Sequence, residues 1–464
     1  MPQMFLHCMQ GGASACLLFG GVFAYTACVL RRSREEETKM RIHVVKKGES
    51  LFSIAQQYGV SARLLQKQNE VPADGTLVTG QTLVILLPEK THIVRSGDTV
   101  YSIARKYGVS AREIFQNNIF LQGQGTLTPG EELIVTLKDA PKGGALGVNG
   151  YAYPFIGNDL LRQVLPYMTY VTPFTYGIGA NGRLMPLRDE GILAAAGQYG
   201  VQPWMHLASL TEEGRFSSAR AEALLQSGPQ QEELLEQVKE ILKEKGYGGL
   251  DVDFEYIRPE LGAAYAAFVV MLRRELNSLG YSVLAALAPK TFAGQRGLLY
   301  EAHDYAALGQ AANGVLLMTY EWGYTAGPPM AVAPLNKVRQ VLDYALTEIA
   351  AEKLFLGVPV YGYDWPLPFR EGLTRAESIS PQEALALARR YGAEIRFDET
   401  AQAPGSATRR PTAWSTRCGS RTRAAAMQNS GWRRKRAFKG WGYGTSCGRR
   451  PRPIWRCTGD LTLR

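Results

Sequence analysis

From residue 145 onward, short apolar runs alternate with stretches of helical period. Apolar runs at 146–153, 168–175, 203–207, 250–256, 283–287, 315–320 and 354–361 predict seven strands. Between them lie amphipathic stretches such as 231–245, ended by Gly246, and 259–279, ended by Gly280. Strands separated by helices predict an α/β fold with a parallel sheet, and at this length a (β/α)8 TIM barrel is the leading closed form. A doubly wound open sheet is the alternative. Its nucleotide-binding version has little support, because neither a Gly-x-Gly-x-x-Gly turn nor a phosphate loop follows the first run.

The run at 250–256 carries carboxylates where a buried strand should not. Asp251, Asp253 and Glu255 stand at i, i+2 and i+4 and share one face, while Leu250, Val252, Phe254 and Tyr256 share the other. Like charges a few ångström apart in a poorly solvated site cannot all ionise, so at least one carboxyl is expected to hold its proton near neutral pH, as a general acid must. Glu255, nearest the C-terminal end of the strand, is the candidate. The bland reading is a solvated acidic edge strand. The helical stretches on both sides favour a βα repeat, in which the C-terminal strand ends carry the chemistry. Aromatic residues gather at other strand ends: Tyr151 at the first, Tyr320 and Trp322 at the sixth, Tyr361 at the seventh. Each alone is a packing residue. His206, in the apolar run Trp204-Met205-His206-Leu207, reads as a satisfied core histidine.

An internal repeat precedes this region. The segment His43-Val44-Val45 through Ser53-Ile54-Ala55 recurs as His92-Ile93-Val94 through Ser102-Ile103-Ala104, Tyr58-Gly59-Val60-Ser61-Ala62 as Tyr107-Gly108-Val109-Ser110-Ala111, and Asn69 as Asn118. The pattern predicts strand, two short helices and strand in each copy. A Lys/Pro/Gly segment at 138–144 separates the pair from the alternating strands and helices.

Each repeat resembles LysM, a small α+β (βααβ) module whose family binds N-acetylglucosamine-containing glycans. The acidic strand resembles the glycoside hydrolase family 18 signature D-x-x-D-x-D-x-E, with Gly248 where the first Asp usually stands. That resemblance implies a substrate-assisted, retaining hydrolase without a cofactor. Glu255 would protonate the glycosidic oxygen, Asp253 would orient the substrate's acetamido group, Asp251 would set the ionisation of Asp253, and Tyr320 would hold the acetamido oxygen. Tyr151, Trp322 and Tyr361 would contact the sugar. Tandem LysM followed by this domain looks most like the spore cortex-lytic family 18 N-acetylglucosaminidases. It implies peptidoglycan, or another N-acetylglucosamine-containing glycan, as partner, and a spore or cell-wall location. A chitinase and a non-catalytic glycan-binding wall protein are the alternatives.

Charge changes this picture little. The net charge of +10 comes from the tail: residues 405–464 hold thirteen Arg and two Lys against the single acid Asp460, so the rest of the chain is net acidic. A nucleic-acid partner is therefore not expected. Cysteines occur only at positions 8, 16, 28, 418, 447 and 457, and the five His are scattered, which predicts neither a disulfide framework nor a metal site. Residues 1–30 contain no Asp, Glu, Lys or Arg, and 11–30 is long enough to anchor the chain in a membrane, unless Met40 is the true start. After Ala403 the apolar periodicity fails where the eighth strand should lie, and the composition reads as translation out of frame; 437–444 is a poor strand. The expected domains are thus 1–39, LysM at 41–88 and 90–137, a barrel at 145–403 with its last strand in doubt, and a tail at 404–464.

Overall fold

The computed structural model describes residues 40–138, 146–409, 415–420 and 440–443. The hydrophobic stretch 11–30 and most of the separating segment lie outside the described residues. Among the described residues no helix is long and apolar enough to cross a membrane.

Each repeat folds as its pattern predicts. In the first, β1 (Met40–Val44) pairs antiparallel with β2 (Thr82–Leu86) across the helices Leu51–Tyr58 and Ala62–Gln68. In the second, β3 (Pro88–Ile93) pairs with β4 (Glu132–Leu137) across Val100–Tyr107 and Ala111–Asn117. The recurring residues are those the fold requires. Ser50 and Thr99 build capping boxes with Ser53 and Ser102, and Gly59 and Gly108 end the same helices in the left-handed conformation. Asn69 and Asn118 tie the second helix to the second strand. Asn69 donates to the Leu65 and Val84 carbonyls and accepts from Val84 N–H, and Asn118 does the same with Ile114 and Ile134.

The modules dock on one another and on the barrel. Lys67 pairs with Glu131 across the two modules. Arg112 Nε and Gln116 Nε2 donate to the Pro166 carbonyl at 2.8 and 2.7 Å, and Tyr199 Oη donates to Gly123 O at 2.5 Å. The first module meets residues 388–395, where Val78 packs on Ala388 and Ala393 and Ile395 N–H donates to Thr79 O at 3.0 Å.

The repeat supplies its own control for this contact. Gly80 and Gly130 occupy equivalent turns with φ of +83° and +84°; a Cβ at Gly80 would fall 1.8 Å from the Ile395 carbonyl oxygen, whereas a Cβ at Gly130 meets nothing within 4 Å. Both Ala substitutions carry the left-handed strain of about 1 kcal/mol. Only Gly80→Ala should also open the docking, costing roughly 1–3 kcal/mol more and speeding hydrogen exchange at Ile395 N–H. Equal losses in the two variants, by chemical denaturation, would mean that the contact contributes nothing.

The barrel strands are β5 (Gly147–Ala152), β6 (Tyr170–Pro173), β7 (Gln202–Pro203) continued past Trp204 as β8 (Met205–Ala208), β9 (Gly249–Asp253), β10 (Ser282–Leu287), β11 (Gly314–Leu317) and β12 (Leu354–Val358). All pair in parallel, in the order β7-β6-β5-β18-β12-β11-β10-β9-β8, where β18 is Gly440–Tyr443. Backbone bonds from Trp204 N to Val171 O and from Tyr176 N to His206 O join β6 to the third stave and close the circle. The eighth stave is β18 (Gly440–Tyr443), whose backbone pairs with β12 on one side and β5 on the other. The last strand, in doubt on the sequence, is supplied by the four residues Gly-Trp-Gly-Tyr, whose backbone pairs on both sides.

The structure runs across the boundary expected at 403. A second sheet is inserted after β12, built from β13 (Gly362–Leu367), β14 (Glu377–Ile379), β15 (Ile395–Asp398), β16 (Ala403–Arg409) and β17 (Ser415–Ser420), with the helix Pro381–Arg390 beside it. It is antiparallel, and β16 and β17 carry it across the change in composition. Outside the barrel sheet, Leu250, Val252 and Phe254 pack with Leu234, Val238, Tyr265, Phe268 and Leu272 of the flanking helices Gly228–Lys245 and Gly262–Ser278. The inward positions of β9 are therefore left to the acids.

Candidate active site

Strand β9 ends at Asp253, and Glu255 follows just beyond the ladder at the mouth of the barrel. All three acids are buried, Glu255 and Asp251 completely. From β5, Tyr151 reaches across and donates its hydroxyl to Asp251 Oδ2 at 2.5 Å. Burial pushes Asp251 up to about 6, with the Tyr151 hydrogen bond pulling the other way. One carboxyl with the raised pKa expected of this face is thus Asp251, two inward positions below the candidate acid. Where the family signature has its first Asp, Gly248 leaves room for Gln202: a Cβ there would fall 2.0 Å from Gln202 Nε2.

A folded pKa raised from 3.8 to about 6 means that the folded state holds this proton more tightly than the unfolded chain. Asp251 therefore withdraws stability as pH rises through that window, by up to about 3 kcal/mol above it. Asp251→Asn removes the penalty. It should raise stability at pH 7 and lose that gain as pH falls toward 4, in urea unfolding at the two pH values; a gain independent of pH would contradict the assignment.

Tyr320, from the end of β11, lies against β12 where Gly357 makes space, since a Cβ there would fall 2.7 Å from Tyr320 Cε1. Burial, then the charge of Asp253, then Glu321 and Asp251, hold its phenol well above the ordinary range. Tyr320 and the acids thus share one electrostatic environment. With Trp322 it lines an open cleft of about 290 Å³ whose other walls include Phe292, Tyr300, Glu321 and Lys337. Tyr361 is placed differently from the sugar-contacting role expected of it. It is buried, and its hydroxyl donates to Glu321 Oε1 at 2.5 Å, joined there by Tyr363 Oη at 3.0 Å. Tyr151 likewise spends its hydroxyl on Asp251.

Two histidines belong to the site although sequence reasoning set them aside. His206 is a satisfied buried histidine, with Nδ1 2.5 Å from Thr175 Oγ1, and it also places Nε2 3.7 Å from Asp253 Oδ2. Burial pushes it down to about 3, so it is neutral. The signal was available: Met205 and Leu207 pack outward, which turns His206 inward, opposite Asp251 in the β8–β9 register. His303 accepts from Ala288 N–H at 2.8 Å and donates from Nε2 to Phe254 O at 2.9 Å, fixing the backbone one residue before Glu255. No spacing in the sequence marks that contact, because His303 arrives from a loop 49 residues further along the chain.

Comparison with known proteins meets this geometry. The LysM domain model matches residues 43–86 and 92–136, and the model of Glycosyl hydrolases family 18 matches 211–414, which includes the three acids and Tyr320. The chain is 40% identical over 372 residues to the cortical fragment-lytic enzyme of Bacillus subtilis (strain 168), covering 79% of this chain and 85% of that one. The chain belongs to glycosyl hydrolases family 18. It is a glycoside hydrolase with two N-terminal LysM domains on a TIM barrel. Among solved family structures, the spore cortex-lytic enzyme SleL of Bacillus megaterium QM B1551 superposes with a TM-score of 0.73 at 33% identity, over 87% of this chain and 94% of that one. The SleL of Bacillus cereus gives 0.72 at 30% identity, over 88% and 94%. A chitinase from Chromobacterium violaceum ATCC 12472, at 19% identity and a TM-score of 0.59 over 64% of this chain and 93% of that one, shares the fold.

Proposed function

We propose that this hydrolase cleaves spore-cortex peptidoglycan next to N-acetylglucosamine, with net retention and with the substrate's own acetamido group as nucleophile. The observation that carries the reading is the inward row Asp251, Asp253, Glu255 with Tyr320 beside it. Glu255 gives its proton to the glycosidic oxygen as the C1–O bond breaks. The acetamido carbonyl oxygen bonds to C1, and the resulting oxazolinium ion is held by Asp253 at its N–H and by Tyr320 at its oxygen. Water then attacks C1, its bond to the acetamido oxygen breaks to restore the N-acetyl group, and Glu255 takes back a proton. Glu321, the further carboxylate on the cleft wall, accepts from two tyrosine hydroxyls, which suits a fixed binding group better than a nucleophile.

The LysM pair holds the enzyme on the glycan. Because the modules are docked on the barrel, their contribution depends on a fixed geometry rather than on the reach of a linker. The test is release of muropeptides with new N-acetylglucosamine reducing ends from purified spore cortex, with Glu255→Gln alongside. No release by the parent chain would overturn the reading.

A further inference from the structure

Six lysines lie in the barrel between β5 and β12, and five have an evident disposition. Lys243 is exposed. Lys239 pairs with Glu236, Lys245 with Asp189, and Lys290 and Lys353 donate to backbone carbonyls. Lys337 is the exception: it is half-buried on the wall of the cleft beside Tyr320, Glu321 and Trp322, and among the described residues it has no carboxylate partner. Helix stability does not explain it, since it stands in the first turn of Leu335–Glu348, the end at which a cation is disfavoured. Nor does the neighbouring anion, because Glu321 is occupied by Tyr361 and Tyr363.

We propose that Lys337 is a specificity residue that recognises a carboxylate on the glycan in this cleft. A neutral polymer of N-acetylglucosamine leaves the ammonium partly desolvated and unpaired, whereas an acidic glycan supplies the missing charge. The aromatic walls, Trp322, Tyr320, Tyr300 and Phe292, hold sugar faces, and Lys337 reads what the sugars carry. The proposal rests on the peptidoglycan reading and narrows it: the chain prefers muramic-acid-containing glycan to chitin-like glycan through one charge. The carboxylate can come from the lactyl ether of muramic acid or from a stem peptide attached to it.

The test compares each substrate with its own methyl ester. One arm uses an alternating N-acetylglucosamine–N-acetylmuramic acid oligosaccharide with free lactyl acids; the other uses a glycan whose lactyl groups are amide-linked to stem peptides. The full chain should prefer free acid over ester about five- to tenfold in kcat/KM, through KM, in the arm that carries the recognised group. That preference should shrink as salt rises. Lys337→Met, which keeps the stem, should bring the ratio to about one, and Lys337→Arg should retain it. The ratio is taken within each variant, so a smaller folded fraction cancels. Equal cleavage of acid and ester in both arms, or an unchanged ratio in Lys337→Met, overturns the assignment. Cleavage of none of the substrates overturns the peptidoglycan reading, and this one with it.

Discussion

Glu255→Gln is expected to lower reducing-end release from cortex by about 10²–10⁴-fold, the usual worth of a positioned general acid. The amide keeps the size and shape of the side chain but can neither protonate the leaving oxygen nor receive a proton from water, so both steps fail together. Glu255 is fully buried, and replacing a buried carboxylate by an amide of the same shape does not weaken the fold. Its thermal midpoint should therefore not fall below that of the parent chain. The LysM modules close on their own cores, Ile54 with Leu83 in the first and Ile103 with Leu133 in the second, so the variant should still sediment with cortex. A variant that binds, melts normally and retains most of the parent rate would remove Glu255 from the mechanism. It would leave the three acids as a structural cluster.

What the sequence reveals depends on the range over which its signals act. The alternation on β9 is local, and it places Asp251 and Asp253 inward because Leu250 and Val252 have helices to pack on. The LysM repeat is legible for the same reason, since caps, left-handed glycines and the bridging Asn all act within one module. His206 shows where local reading stops: alternation turns it inward, but only the β8–β9 register puts it beside Asp253. The tyrosine pair on Glu321 depends on β13, a strand carrying Pro366 that belongs to an inserted sheet, and its partner β17 lies in a segment whose composition argues against strands. Closure by Gly440–Tyr443 is the extreme case. Backbone pairing on both sides is set by the neighbours β5 and β12, and the four-residue Gly-Trp-Gly-Tyr alternation is too short to announce it.

Asp253→Asn should be the second most damaging change at the site, lowering kcat about 10²–10³-fold with little effect on KM. The argument turns on charge that exists only after the reaction begins. In the ground state an Asn can still accept from the acetamido N–H, so binding survives. As the oxazolinium ion forms in the proposed mechanism, its positive charge faces the buried residue 253, and an amide dipole replaces a carboxylate there. Asp253 also has Tyr320 near it on one side and His206 Nε2 at 3.7 Å on the other. Because His206 is neutral, it does not offset the charge that the substrate must meet. Asp251 lies deeper in the barrel, hydrogen-bonded to Tyr151, and in the proposed mechanism it would act on the substrate only through Asp253. The expected order of loss is therefore Glu255→Gln, then Asp253→Asn, then Asp251→Asn, with pH-rate profiles shifted in the last. If Asp251→Asn were dead while Asp253→Asn kept near-parental kcat, the two carboxylates would have to exchange roles, and the group facing the acetamido nitrogen would be the deeper one.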